Sequence, residues 1–104
     1  MPIKEIEEIK MKFIEKLSPK RIYLFGSYAE GTQSEDSDFD FYIVMDNESV
    51  NIRELTTEAY KSIRSVKKRP VDIIVGTDKR FEERKKFPSI EYEVEQKGVL
   101  IYGA

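Results

Sequence analysis

Apolar positions recur along the chain with two different periods, and these periods divide it into elements. Over residues 3–17, Ile3, Ile6, Ile9, Phe13 and Leu17 fall at spacings of three and four, with Glu and Lys filling most of the positions between. That spacing predicts an amphipathic helix with one face for a core. Pro2 stands just ahead of it, where proline is tolerated, and Pro19 stops it. Lys20 to Phe25 follows as a first strand, whose run Ile22-Tyr23-Leu24-Phe25 reads as buried on both faces. The run breaks at Gly26-Ser27. Residues 27–30 suit a short helix, Gly31 a turn, and Ser34, Glu35, Asp36 and Ser37 a polar segment.

The second half repeats the alternation. Residues 38–45 predict a strand that opens on Asp38-Phe39-Asp40 and continues as Phe41-Tyr42-Ile43-Val44. Asp46 to Ser49 is a polar turn. A helix is expected from about Asn51 to Val66, with Ile52, Leu55, Ala59, Ile63 and Val66 on one face. Asn51, with Glu54 three positions on, resembles a capping pair. Lys67, Lys68 and Arg69 make the end of this helix basic, which its dipole favours without further explanation. Pro70 introduces a third strand, Val71-Asp72-Ile73-Ile74-Val75, and Gly76-Thr77-Asp78 turns out of it. Residues 79–86, dense in charge with only Phe81 apolar, read as an exposed loop or short helix. Residues 88–97 predict a helix with Ile90 and Val94 inward and Gly98 as its stop, and Val99 to Tyr102 a short last strand. Strands alternating with helices imply an α/β or α+β fold, a sheet with helices packed on it.

At 104 residues the chain is expected to be one domain. Eighteen Lys and Arg against 20 Asp and Glu leave a formal charge of −2, which argues against a broad nucleic-acid surface. Neither cysteine nor histidine is present. Disulfides, thiolate or imidazole zinc sites and every scheme with a histidine base are thereby excluded, so acid–base or metal chemistry must run on carboxylates. No stretch has the length of a membrane span and the first residues do not resemble a signal peptide, which points to a cytoplasmic protein.

Those carboxylates are concentrated where the pattern is least explained by folding. Side chains alternate along a strand, so Asp38 and Asp40 are expected to share a face, with Cα atoms about 6.6 Å apart. Two such carboxylates repel unless a cation or proton lies between them, and a divalent oxygen-seeking ion such as Mg²⁺ would answer that. An end-of-strand turn remains the plain alternative for Asp38 and for Gly26-Ser27. Asp40, inside an apolar strand, is harder to explain so, because burial without a partner is costly.

Gly26-Ser27, ten residues, then Asp38-x-Asp40 resembles the signature of the nucleotidyltransferase superfamily, whose fold is shared with DNA polymerase beta. The size and layout are similar to the stand-alone minimal nucleotidyltransferases of bacteria and archaea, and the resemblance spans nearly the whole chain. It implies the nucleotidyltransferase fold, with a mixed sheet. It also implies two Mg²⁺ ions held by Asp38, Asp40 and Asp72, with Asp72 either binding one metal or accepting a proton, and ATP as substrate with Gly26 and Ser27 at its phosphates. The expected reaction is transfer of AMP to a hydroxyl. Stand-alone members are commonly paired with a helical HEPN-domain toxin and act as its antitoxin by modifying a toxin tyrosine, which implies such a partner. A hetero-oligomer or a homodimer is compatible with that setting. The chain departs from the pattern at Glu30, where members often carry Arg, and Glu has the wrong sign for a phosphate contact. A catalytically degenerate module that neutralises a partner by contact is therefore the alternative.

Overall fold

The computed structural model describes residues 3–34 and 37–103. Pro2, Glu35 and Asp36, where the sequence placed a helix start and part of a polar segment, lie outside the described residues. Helix α1 (Ile3–Leu17) is followed by strand β1 (Arg21–Phe25), the single-turn helix α2 (Ser27–Glu30) and strand β2 (Phe39–Met45). Helix α3 (Ile52–Ser62), strand β3 (Val71–Thr77), helices α4 (Asp78–Arg84) and α5 (Ile90–Lys97) and strand β4 (Val99–Tyr102) complete the order. The sheet runs β3-β2-β1-β4. β1 is antiparallel to β2 and β4, while β2 and β3 are parallel, joined by α3 as the crossover such a pair requires. The result is the sheet with packed helices expected from the alternation, and the sheet is mixed, as the resemblance implies.

β2 is central, and six of its seven residues are buried. Its odd-numbered side chains, Phe39, Phe41, Ile43 and Met45, join Ile6, Ile9, Phe13 and Leu17 of α1, Ala59 of α3 and Ile63 beyond it in the larger core. Phe13 meets Phe41 edge-on with ring centroids 5.3 Å apart. On the opposite face Tyr42 and Val44 pack with Phe81 of α4 and Val94 of α5. A strand apolar on both sides is what a layer of helices on each face demands.

Several local expectations shift. α3 stops at Ser62 rather than near Val66: the Ser62 hydroxyl bonds the Ala59 carbonyl at 2.7 Å, and residues 63–66 uncoil through looser turns towards β3. Its start is as read, since Asn51 Oδ1 accepts from the Glu54 amide at 3.1 Å. β3 continues two residues past Val75. Gly76 pairs with Val44, and a Cβ there would strike the Tyr42 hydroxyl, so glycine serves close packing instead of a turn. Residues 78–84 are helical and anchored by the buried Phe81. α5 begins at Ile90 because the Ser89 hydroxyl caps the Tyr92 amide at 3.1 Å.

The inward face of α5 is corrected as well. Ile90 is exposed, and Glu91, 1% exposed, takes the inner position beside Val94. Its carboxylate accepts from Tyr42 Oη at 2.7 Å and Arg84 Nε at 3.0 Å, with Arg80 Nε at 3.6 Å. Burial alone would raise this carboxyl, but the Tyr42 hydroxyl and Arg84 outweigh it and hold its pKa below the usual range. Arg80 and Arg84, read as a solvated face, are thus tied to a buried acid. Glu91→Ala strands the Tyr42 hydroxyl in the core, so a loss of about 2 kcal/mol is expected, measured as a lower urea midpoint at unchanged slope. Among the described residues no helix is long and apolar enough to cross a membrane.

Candidate active site at the Gly26 bend

Three chain segments meet at one end of the sheet. β1 runs out into Gly26 where β2 and β3 both begin, because β2 is antiparallel to one neighbour and parallel to the other. In register, Phe25 lies opposite Asp40 on one side and Asp72 lies opposite Asp40 on the other. Strand neighbours in register carry side chains about 5 Å apart, so Asp40 and Asp72 form a close pair. Asp38 stands one residue ahead of β2 instead of opening it.

Asp40 lies directly against the bend. A Cβ added to Gly26 would collide with Asp40 Oδ2 and stand 3.2 Å from its Cγ. Gly26 itself has φ +77° and ψ −155°, a conformation accessible essentially to glycine alone. The glycine is therefore required twice, by its backbone angles and by the carboxylate above it. Ser27 follows as the first residue of α2, and Glu30 is its last, exposed residue.

The electrostatics report the same crowding. Partial burial first, then the charge of Asp72, then that of Asp38, push the Asp40 carboxyl up to about 6, and Asp72 is near enough to share a proton with it. Asp72 is the exposed member of the group and Asp38 is intermediate. Among the described residues, no three acidic side chains stand as a ready-made metal cage. Asp40 and Asp72 supply the close pair, and Asp38 acts on Asp40 by charge. All the donors are carboxylate oxygens, held together at the cost of mutual repulsion, and this chemistry fits a hard divalent cation such as Mg²⁺. Asp40 and Asp72 are the pair placed to face such an ion, with Asp38 one residue ahead of the strand.

Two further groups border this end of the molecule. Tyr28 is buried against Phe39 with centroids 4.8 Å apart. Arg69, read as one of several helix-end cations, lies over both rings. No sequence period marks Arg69. The one signal available was its place three residues ahead of Asp72.

The nucleotidyltransferase domain model matches residues 6–101 of the chain. No curated protein matches the sequence significantly. Among solved structures, a putative nucleotidyltransferase from Sulfolobus solfataricus is similar over 96% of this chain and 78% of its own, at 22% identity and TM-score 0.68. A toxin–antitoxin complex with AMP-PNP is similar over 100% of this chain and 75% of its own, at 22% identity and TM-score 0.56. Two mutants of the toxin–antitoxin pair MntA–HpeT are also similar. One, with two aspartates changed to glutamate, matches at 23% identity and TM-score 0.62 over 100% of this chain and 75% of its own. The other, with a tyrosine changed to alanine, matches at 26% and 0.56 over 94% and 72%.

Proposed function

We propose, from the premise that this chain belongs to the nucleotidyltransferase domain family, that it transfers AMP from ATP to a hydroxyl of a partner protein and acts as the antitoxin of a toxin–antitoxin pair. The observation that supports the reading is the close pair of Asp40 and Asp72 beside Gly26, with the charge of Asp38 acting on Asp40. The neighbours add to it. One was solved with AMP-PNP, and another carries its aspartate substitutions two positions apart, the spacing of Asp38 and Asp40.

In this reading the acceptor oxygen attacks the α-phosphorus of ATP, the bond to the β-phosphate oxygen breaks and pyrophosphate leaves. Bound Mg²⁺ supplies charge stabilisation for the entering and leaving oxygens. Gly26 allows the backbone close to the phosphates, and the Ser27 hydroxyl and amide bind them. Asp38 and Asp40 would hold the Mg²⁺ ion and, through it, orient the reacting end of the nucleotide. Asp72, exposed at the mouth of the site, receives the proton of the incoming hydroxyl on its carboxylate. The acceptor is a tyrosine of a HEPN-type helical toxin, in keeping with the tyrosine substitution in one of the neighbouring pairs.

The test is label from α-labelled ATP, with Mg²⁺, on the toxin chain encoded beside this one. Transfer is expected with the wild type and none with Asp38→Ala. An unlabelled partner that is nevertheless bound and neutralised would instead establish the contact-only antitoxin. Glu30 favours that second reading, since it sets a negative charge on α2 where members of the family often carry Arg.

A further inference from the structure

We propose that Arg69 is a positioning residue of this site, which holds the Gly26-Ser27 bend and the Asp38–Asp40 segment in fixed relation from behind; the inference rests on the transfer reading above. The guanidinium carbon lies 4.4 Å from the centroid of Phe39 and 5.2 Å from that of Tyr28. Its Nη1 donates to Tyr28 Oη, while Nη2 and Nε donate to the two carboxylate oxygens of Glu5 at 3.2 and 3.4 Å. The Lys68 amide donates to the same Glu5 carboxylate at 3.2 Å.

Each partner belongs to a segment the site depends on. Tyr28 directly follows Ser27. Phe39 sits between Asp38 and Asp40, and its amide donates to the Pro70 carbonyl at 3.2 Å, joining the start of β2 to the entry of the Asp72 strand. Glu5 fixes the assembly to α1. Phe39 points into the α1–α3 core while Asp40, the next residue along the strand, points to the other face. Arg69 is thus behind the carboxylates and acts through its neighbours, without touching reactants.

The choice of side chain argues for a positioning role beyond packing. A planar fork can lie on two aromatic rings and hold a carboxylate in two places at once, which an ammonium cannot. Glu5, 8% exposed, and Arg69, whose side chain is 22% exposed, form a part-buried ion pair, and an apolar pair of similar volume often stabilises a fold as well. What the ion pair adds is directional restraint across four segments. Reacting groups displaced by about 1 Å lose on the order of 100-fold in rate, so such restraint has a catalytic use.

The test compares wild type, Arg69→Met and Arg69→Lys by amide hydrogen exchange of the nucleotide-free protein and by transfer from α-labelled ATP with Mg²⁺ to the partner toxin. The amides to follow are Glu30 and Thr32, which bond back to Gly26 and Ser27, and Phe39; Lys20, bonded to Val44 at the far end of the sheet, is the control. In Arg69→Met, exchange is expected to rise about 10- to 100-fold at the first three amides and stay within twofold at Lys20. The same variant should lower kcat by about 30-fold while the KM for ATP moves less than threefold, and Arg69→Lys should rescue neither. Unchanged exchange at the three amides, an equal rise at Lys20, full rescue by lysine, or retained kcat in a locally loosened variant would each overturn the proposal. Absence of transfer by the wild type would instead count against the transfer reading, and the exchange pattern would then decide Arg69 alone.

Discussion

Asp40→Asn is expected to reduce nucleotidyl transfer by 1,000-fold or more while making the folded protein more stable at pH 7.5. Removing a carboxylate that would hold the cation at the phosphates costs transition-state stabilisation of about 4 kcal/mol, the equivalent of that factor. The gain in stability comes from the same contacts. In the folded protein the Asp40 carboxyl is pushed up to about 6 by burial and by Asp72 and Asp38, above its ordinary 3.8. A group whose pKa rises on folding contributes stability below its unfolded pKa and loses it as pH climbs through the folded value. Wild type should therefore weaken between about pH 4 and pH 6, and the asparagine variant should not.

The full shift would correspond to about 3 kcal/mol, and solvent at the open site reduces the expected gain to about 1 kcal/mol, or about 4 °C in melting temperature. Mg²⁺ should raise the melting temperature of wild type at pH 7.5 and leave the variant nearly unmoved. A variant that melts below wild type at pH 7.5 would remove the carboxylate cluster as the source of the repulsion. Equal melting gains with Mg²⁺ in both proteins would remove it as the cation site.

Gly26→Ala should damage both the fold and the candidate site. The backbone at φ +77° and ψ −155° is strained for any L side chain, and the new Cβ meets the Asp40 carboxylate head-on. Strain and displacement together are expected to cost about 3 kcal/mol in urea unfolding and at least 100-fold in transfer, since Asp40 moves whichever group yields. Gly31→Ala is the milder comparison, because its ψ of 16° puts it in the left-handed region that other residues can enter. Gly31 has a similar φ of +76°, but the space around its Cβ position is open, so about 1 kcal/mol and near-normal transfer are expected. Equal losses at the two positions would mean that neither the Asp40 contact nor the ψ of Gly26 adds to the cost of a positive φ.

The elements and their chemistry were largely legible in order. The period of three and four placed α1 at its observed bounds, and the apolar run ending in Gly26-Ser27 placed the bend. The acid pair on an apolar strand marked the site, since a buried charge without a role is expensive wherever it stands. These are local statements, and local statements survive transfer from chain to fold. The misjudged positions are those at which a distant partner decides. Ile90 and Glu91 exchange places because the Tyr42 hydroxyl and the Arg84 guanidinium await a carboxylate inside. Gly76 continues a strand because Tyr42 leaves no room for a side chain.

Composition and spacing by themselves determined that any acid–base or metal chemistry here must rest on carboxylates, that the chain alternates strands with amphipathic helices, and that Gly26-Ser27 ends one strand while Asp38 and Asp40 stand at the start of the next. Only the tertiary structure decided that β3 lies parallel beside β2, which puts Asp72 opposite Asp40, and that Arg69 leaves the solvated end of α3 to lie beneath Phe39 and Tyr28. Periodicity is written in neighbours a few residues apart, whereas register and the pairing of buried charges depend on segments that meet only once the sheet has formed.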